Sequence, residues 1–169
     1  MPVIFWIIIA VALLFCLTAL FGAPYVPSRN AELEKAFKNL YPLSKKDTLI
    51  DLGSGDGKVL LAAHKYGTKS IGIELNPLLV IISRLRLRRT KDAKVLCRDF
   101  FLYDFPKEIT VAYVFGDGRD MPRIVHHIEK QVARVGHPIY LISHAFPTDK
   151  YKVEKTYRAY YLYKIKEQK

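Results

Sequence analysis

The stretch "DLGSGDG", residues 51–57, decides the fold of this chain. It follows the apolar run "DTLI" (47–50) and precedes "KVLLAAHKYG" (58–67), a pattern that predicts a buried strand, a glycine-rich turn and a helix. Nucleotide cofactors are commonly bound at such a turn, because glycine lets the backbone approach a ligand closely. The stretch therefore predicts a cofactor-binding domain, and its residue types restrict the choice of cofactor.

The rest of the chain alternates between predicted strands and helices. After an amphipathic helix at 28–43, strands are predicted at 47–52, 69–74, 93–97, 109–116 and 138–146, helices at 57–67, 76–90 and 121–135, and a closing hairpin at 151–166. This alternation predicts an α/β domain with a mostly parallel sheet, helices on both faces and one antiparallel strand. Ligands of such sheets bind beyond the C-terminal ends of the strands.

The glycine loop departs from the dinucleotide-binding fingerprint G-x-G-x-x-G. Gly53 and Gly55 fit it, but Lys58 stands at the last position, and the loop reads D-x-G-x-G-x-G instead. Asp51, at the end of the first strand, would repel a pyrophosphate and suits a ligand with an ammonium group. S-adenosylmethionine carries an ammonium, a carboxylate and a sulfonium but no phosphate, so we predict it as the cofactor.

Two further acidic residues follow the next two predicted strands. Glu74 ends the second strand, where a carboxylate can accept hydrogen bonds from both ribose hydroxyls. Asp99 follows the third strand as an acceptor for the adenine amino group, and Phe100 offers an apolar wall. One acid alone is typical of a solvated loop, but three after successive strands indicate one site. The predicted cofactor-binding residues are Asp51, Gly53, Ser54, Gly55, Gly57, Glu74, Asp99 and Phe100.

Residues 3–21, "VIFWIIIAVALLFCLTALF", contain no charged side chain. Nineteen helical residues at about 1.5 Å each cover the ~30 Å hydrocarbon core of a bilayer, which predicts a transmembrane helix. A signal peptide, the main alternative, has a positive start and a shorter apolar stretch. A core helix is disfavoured because the segment is apolar on every side. All 27 Lys and Arg residues follow the segment, so we expect a single-pass protein with its domain on the cytoplasmic side.

The formal net charge of +11 lies wholly after the apolar segment. A basic domain at a membrane is attracted to an anionic lipid surface, and the run "SRLRLRRTK" (83–91) is the most basic helix. Nucleic acid or an acidic protein is a second class of partner, and a solvated basic surface is the third interpretation. The run lacks interleaved aromatic residues, so nucleic acid is not expected. Neither the two cysteines nor the five histidines have metal-ligand spacing, and His126 and His127 are predicted on a helix surface.

Three patches resemble one known family: "GAPYVPS" (22–28), "DLGSGDGKVLLAAHKYG" (51–67) and "GIELNP" (72–77). The chain resembles class I S-adenosylmethionine-dependent methyltransferases. Within that class it is similar to the membrane-anchored protein-lysine methyltransferases that modify the c-subunit of ATP synthase and the adenine nucleotide translocase. The resemblance implies a Rossmann-like, seven-strand methyltransferase fold. It also implies a mitochondrial inner membrane location, with the domain on the matrix side, if the host is eukaryotic.

The resemblance also divides the chain and assigns residues. It implies a transmembrane helix at 3–21, a Pro-rich connector at 22–28 and a methyltransferase domain at 29–169. It supports the cofactor residues named above and implies that Tyr25 and Pro27 lie near the cofactor or the methyl acceptor. We therefore expect N-methylation of a lysine on a membrane protein. The alternatives are a methyltransferase for a lipid headgroup or small molecule, and a basic RNA- or lipid-binding module without activity.

Two segments near the expected acceptor site depart from the family. "FGDGRDMP" (115–122) has acids and glycines where the family is mostly apolar, and the last strand reads "YLY" (161–163) in place of a Trp-Ala-Tyr pattern. Asp117 is predicted at the rim of the active site as an acceptor-orienting group, with a solvated acidic loop as the alternative. No residue is assigned as a general base.

Overall fold

The computed structural model describes residues 2–21 and 30–167 of the chain, with side chains for 2–13 and 31–167. The helices are α1 (Val3–Phe21), α2 (Asn30–Leu40), α3 (Lys58–His64), α4 (Pro77–Arg86) and α5 (Met121–Val135), and one turn of 3₁₀ helix covers Phe100–Leu102. The strands are β1 (Thr48–Leu52), β2 (Lys69–Glu74), β3 (Ala93–Cys97), β4 (Val111–Phe115), β5 (Ile139–His144), β6 (Lys155–Tyr157) and β7 (Tyr160–Ile165).

The predicted connector at 22–28, with Tyr25 and Pro27, lies outside the described residues. Among the residues that are described, none forms a helix that is both long enough and apolar enough to cross a membrane. The transmembrane assignment of 3–21 therefore stays a prediction.

The described strands form one seven-stranded sheet in the order β3-β2-β1-β4-β5-β7-β6. Strands β1 to β5 are parallel, whereas β7 runs antiparallel to β5 and β6. The direction of strand order reverses at β1, which pairs with β2 on one side and β4 on the other. The predicted α/β fold with an antiparallel closing strand is confirmed, and its ligand-binding crevice is expected at the C-terminal end of β1.

Helices cover both faces of the sheet. On one face α2 and α3 pack together, and Leu33, Phe37 and Leu60 are fully buried there. On the other face α5 buries Ile124 and Ile128. Each such side chain contributes about 1.5–3 kcal/mol when fully buried, so the two faces hold the strand ends in a fixed arrangement.

The sheet edge where the parallel strands begin is fixed by Asp47, which is 8% exposed. Its Oδ1 accepts hydrogen bonds from the Tyr41 hydroxyl at 2.8 Å and the Thr110 hydroxyl at 3.0 Å. Its Oδ2 accepts from the backbone N–H and the hydroxyl of Ser44 at 2.9 and 2.7 Å. Four donors satisfy this buried carboxylate, and they join the loop after α2 to the starts of β1 and β4.

Two predictions about helices are corrected. The helix predicted at 76–90 spans Pro77–Arg86, and the chain continues in a turn in which the N–H groups of Arg88 and Thr90 donate to the carbonyls of Leu85 and Leu87, three residues back. The placement of both adjacent histidines on a helix surface is wrong for His127, which is 8% exposed. Its ring packs edge-on against the rings of Phe101 and Phe105, 5.8 and 5.4 Å away.

Candidate active site

The glycine-rich loop folds back over the end of β2. Gly53, Gly55 and Gly57 have φ angles of 81, 52 and 78°, a left-handed region that favours glycine. The backbone N–H groups of Gly53 and Ser54 both donate to the carbonyl of Ile73, at 2.9 and 3.0 Å. The protein's own hydrogen bonds therefore hold the loop in place beside β2.

Glu74, the predicted ribose acceptor, stands at the end of β2 and binds this loop. Its Oε2 accepts the N–H of Gly55 at 2.8 Å, and its Oε1 accepts the N–H of Asn76 at 2.8 Å. The Asn76 side chain in turn caps α4 by accepting the N–H of Leu78. Each carboxylate oxygen has further acceptor capacity, so the partly exposed Glu74 can also accept two hydroxyl groups.

Asp51 lies at the switch point, 2% exposed, opposite Gly72 of β2 and Tyr113 of β4. Its Oδ2 has no hydrogen-bond partner among the described residues. Burial, followed by the negative charges of Glu74 and Asp56, raises the pKa of the Asp51 carboxyl well above its ordinary value. An orphaned buried acceptor is costly, and a cationic group is the ligand that would satisfy it. The site therefore fits the ammonium group of S-adenosylmethionine.

Ser54 and Gly72 form a contact that the sequence reasoning missed. The Ser54 side chain lies over Gly72, where an added Cβ would be 2.5 Å from Ser54 Oγ and 2.7 Å from Leu60 Cδ1. Gly72 thus makes room in β2 for the loop to fold over the strand. Its one sequence signal was a glycine inside the apolar run "SIGIE" (70–74), which is typical of a close backbone approach.

Gly57 has a packing role in addition to the predicted cofactor role. A Cβ on Gly57 would lie 2.2 Å from Ser83 Oγ and 3.3 Å from Leu87 Cδ1, so this glycine allows the start of α3 to approach α4. The neighbouring Asp56 forms an ion pair with Lys58 at the start of α3 and a second with Arg86, which also ties the loop to α4. Direct contact of Gly57 with the cofactor stays a prediction.

Asp99 and Phe100 follow β3, the strand next to β2. Asp99 Oδ1 accepts the N–H of Phe101 at 2.8 Å and caps the 3₁₀ turn, and both residues are half-buried. The Phe100 ring packs on the Phe101 ring with centroids 4.3 Å apart. Asp51, Glu74 and Asp99 thus stand at or next to the C-terminal ends of three adjacent strands, as the proposed cofactor site requires.

Asp117 follows β4, on the other side of the switch point. Its carboxylate accepts three side-chain hydrogen bonds and one backbone hydrogen bond from Arg119, and Arg119 Nη2 lies 2.6 Å from Asp117 Oδ2. These bonds lower the pKa of Asp117 to about 2, so the group is charged at neutral pH. Phe146, from the segment after β5, packs over the adjacent Gly118. The predicted rim residue is therefore a charged, half-buried group next to an aromatic wall.

An aromatic cluster at the ends of β4 and β5 was not predicted. The His144 ring stacks on Tyr160 with centroids 4.1 Å apart and lies 4.7 Å from the Phe115 ring. Its Nδ1 is 3.3 Å from the Tyr113 hydroxyl, and burial lowers the pKa of the His144 imidazole, which is therefore neutral at pH 7. Only the strand register brings these residues together, since Phe115 pairs with His144 and His144 with Tyr160.

This architecture is that of a Rossmann-like methyltransferase domain. A solved RNA methyltransferase from Salinibacter ruber, in complex with S-adenosyl-L-homocysteine, superposes with a TM-score of 0.76 over 85% of this chain and 96% of that chain. The two are 24% identical, so this likeness shows the fold alone.

The sequence comparisons define the family more closely. The profile of the ANTKMT methyltransferase domain matches residues 51–155, and the chain belongs to this family. It is 34% identical over 114 residues to the ATP synthase C-subunit lysine N-methyltransferase of Homo sapiens, covering 66% of this chain and 46% of that protein. It is 37% identical over 75 residues to the adenine nucleotide translocase lysine N-methyltransferase of Mus musculus, covering 44% and 32%.

The chain thus spans about half the length, or less, of these curated relatives. The family resemblance predicted from the three sequence patches is confirmed. What the relatives act on is considered for this chain below.

Proposed function

We propose that the chain is an S-adenosylmethionine-dependent protein-lysine N-methyltransferase. Family membership supports the reaction class, since the curated relatives that match are lysine N-methyltransferases by name. One observation in the structure carries the cofactor assignment: the buried, unpartnered Oδ2 of Asp51 beside the loop and Glu74. A phosphate-bearing cofactor would place more negative charge against this carboxylate, whereas an amino-acid ammonium neutralises it.

Residues at the ends of adjacent strands bind different parts of the cofactor. When bound, S-adenosylmethionine supplies a methyl group on a sulfonium, which a neutral amine displaces directly. Asp51 holds the ammonium end, Glu74 accepts the ribose hydroxyls, and Asp99 with Phe100 receives the adenine. The protein acts mainly by positioning, which can contribute ~7–11 kcal/mol to such a reaction.

The acceptor site lies on the β4 and β5 side of the crevice. A lysine amine, with an ordinary pKa of about 10.4, must lose its proton before it attacks the methyl group. Asp117 attracts the incoming ammonium at the rim. The half-buried rings of Phe115 and His144 provide an apolar surface, which lowers the amine pKa, and aromatic faces then favour the methylated cation. We assign no general base.

The acceptor that we propose is a lysine of an integral membrane protein. By name, the relatives act on the C-subunit of ATP synthase and on the adenine nucleotide translocase, both of which are membrane proteins. The sequence of residues 3–21 supports a membrane anchor, since it contains no charged side chain and nineteen helical residues match the ~30 Å hydrocarbon core. The positive charge after this segment supports a domain on the cytoplasmic side, or the matrix side in a eukaryotic host.

The test uses the full chain, reconstituted in vesicles with a host membrane fraction and radiolabelled S-adenosylmethionine. We expect label on an integral membrane protein, with mass spectrometry placing it on a lysine. The Gly55→Val variant should give no label, because a branched side chain is strained at φ 52° and fills the loop where the ligand approaches.

Label in the lipid phase, in RNA or in a soluble protein would overturn the acceptor proposal. Tight binding of nicotinamide dinucleotide without binding of S-adenosylmethionine, measured by calorimetry, would overturn the cofactor assignment. Alkaline carbonate extraction tests the anchor: the full chain should remain in the membrane pellet, and its release would contradict the anchor alone.

A further inference from the structure

Helix α4 is apolar on two opposite faces. Its inner face packs on the domain through Leu79 and Val80, which are 8 and 2% exposed. Its outer face carries Ile81, Ile82 and Leu85, which are 54, 39 and 62% exposed. At 100° per residue, these three side chains and Leu78 lie on an arc opposite the inner face. A helix that is apolar all round is normally covered on every side.

The outer face belongs to a larger surface, which we call the α4 ridge and define as Leu75, Leu78, Ile81, Ile82 and Leu85. Outside α1, the large exposed hydrophobic side chains of the described chain are four of these five, together with Leu102. Leu75 directly follows Glu74, and Leu102 lies in the turn after the neighbouring strand β3. The ridge therefore begins at the cofactor edge of the sheet. Contiguous exposed apolar surface of this kind marks an interaction site.

The positive charges around the α4 ridge fall into two groups. Arg84 donates to the Val95 carbonyl and Arg86 pairs with Asp56, so both are used within the domain. Arg88, Arg89 and Lys91, just beyond the C-terminal end of α4, form no ion pair with any described residue. An apolar ridge with uncompensated cations at one end fits an anionic, partly apolar partner.

We propose that the α4 ridge docks on the anionic surface of a lipid bilayer. Its apolar side chains enter the boundary between headgroups and acyl chains, about 5–10 Å deep, and Arg88, Arg89 and Lys91 contact the headgroups. A second copy of the chain fits less well, because residues 75–91 contain no acidic side chain, so a two-fold contact of this surface with itself would leave the cations uncompensated. The inference rests on the proposed membrane location but not on the methyl-transfer reaction.

Docking on this ridge deepens the proposed function, because it orients the cofactor edge. The ridge starts at Leu75, next to the ribose-binding Glu74, so a docked domain holds the C-terminal ends of β2 and β3 close to the headgroups. An acceptor lysine at the membrane surface would then lie within reach of the same edge of the sheet.

The test places an environment-sensitive fluorophore on the full chain. In a Cys16→Ser, Cys97→Ser background, it is attached at Ile81→Cys on the ridge or, as control, at Lys130→Cys on the exposed side of α5. The protein is reconstituted in nanodiscs of phosphatidylcholine and phosphatidylglycerol with brominated acyl chains. We expect the label at position 81 to shift to the blue and lose emission to bromine quenching, and the label at position 130 to change little.

The charge requirement is tested with two matched double variants. Arg88→Glu with Arg89→Glu should restore the emission at position 81. Loss of each arginine should weaken docking about fivefold. Lys152→Glu with Lys155→Glu makes the same change in net charge at two exposed lysines at or just before β6, the edge strand farthest from β2 and β3, and should leave the quenching unchanged.

Three results would overturn the inference: a water-exposed label at position 81 in anionic nanodiscs, equal quenching at both label positions, or a label shielded by a second copy in the absence of lipid. Methylation is measured in the same samples. Methylation without ridge quenching refutes the docking and leaves the proposed function standing. Ridge quenching without methylation supports the docking and counts against the proposed function.

Discussion

Two buried aspartates stand at opposite ends of the same strand and have opposite surroundings. Asp47, just before β1, is 8% exposed and accepts four hydrogen bonds. Asp51, near the end of β1, is 2% exposed and has an oxygen without a partner among the described residues. Residue type and burial are almost the same, so the partners alone distinguish a residue that stabilises the fold from one that is available to a ligand.

The difference extends to the two edges of the sheet. At the edge where strands begin, Tyr41, Ser44 and Thr110 donate hydrogen bonds to the Asp47 carboxylate and leave it no need of a further partner. At the edge where strands end, Glu74 accepts hydrogen bonds from backbone amides of the loop and of Asn76, and burial together with the charge of Glu74 raises the pKa of Asp51. The satisfied carboxylate at the first edge stabilises the fold, whereas the buried carboxylate at the second edge lowers its stability. Functional sites commonly combine such a costly residue with stabilising contacts elsewhere in the fold.

The largest expected effect is on ligand affinity, and it follows from substitution of Glu74 at the edge where the strands end. Glu74→Ala removes the proposed ribose acceptor and the acceptor for the Gly55 N–H, and each hydrogen bond to a charged group contributes about 1.5–3 kcal/mol. Loss of both ribose bonds should weaken S-adenosylhomocysteine binding about 10²–10⁴-fold in titration calorimetry. Glu154→Ala, at an exposed glutamate, is the control. A folded Glu74→Ala variant with normal affinity would refute the cofactor placement.

The second effect falls on the structural side, at Asp47. Asp47→Ala leaves the donors of Tyr41, Ser44 and Thr110 without their acceptor, which should cost about 1–3 kcal/mol of unfolding free energy. Tm should fall by about 2–4 °C for each kcal/mol, while cofactor affinity in the folded protein is unchanged. Asp92→Ala, at an exposed aspartate before β3, is the matched control. If the Asp47→Ala variant lost cofactor affinity and kept its Tm, then Asp47 would serve the ligand and not the stability of the fold.

The smallest effect, and the sharpest test of the comparison, is a gain of stability in Asp51→Asn. The folded-state pKa of Asp51 is raised, so wild-type stability is lost as pH rises from about 3.8 toward that folded value. At pH 7 the variant should therefore be more stable, by the ~0.5–2 kcal/mol typical of relieving one functional residue. The gain should shrink as pH falls to 3.8 and below, because Asp51 is already protonated in the folded state and becomes protonated in the unfolded state there. Thermal unfolding between pH 4 and 8 measures it.

Affinity gives an independent readout for the same variant. Asp51→Asn should bind S-adenosylhomocysteine more weakly than the wild type, because a neutral amide attracts the ammonium group less than a carboxylate. A variant that is less stable at pH 7, or that binds the ligand equally well, would show that Asp51 is an ordinary buried carboxyl.

Local sequence signals were sufficient to predict the bounds of an element where a capping or turn residue next to it marks its end. The bounds of β2, β3 and α5 agree with those predicted, since Asn76 with Pro77 marks the turn after β2 and Gly136 ends α5 in the left-handed conformation. The order of acids after successive strands also follows from the sequence, because parallel strands end at one edge.

Tertiary contacts account for what the sequence did not reveal. His127 is buried by Phe101 and Phe105, which come from a loop more than twenty residues earlier. The stacking of His144 on Tyr160 depends on strand register, and the approach of Gly57 to Ser83 depends on how two helices pack. No period or spacing in one sequence encodes such contacts between distant segments.

The hydrogen bonds that fix the glycine loop to β2 have a consequence for turnover. Because Gly53, Ser54 and Gly55 are already held by Ile73 and Glu74, the loop has little conformational entropy left to lose when a ligand binds. The demethylated product keeps the ammonium and the ribose that we propose Asp51 and Glu74 bind, and loses only the methyl and the sulfonium charge. A loop held in this way cannot distinguish the two by rearranging, so we expect the product S-adenosylhomocysteine to compete with S-adenosylmethionine for the site.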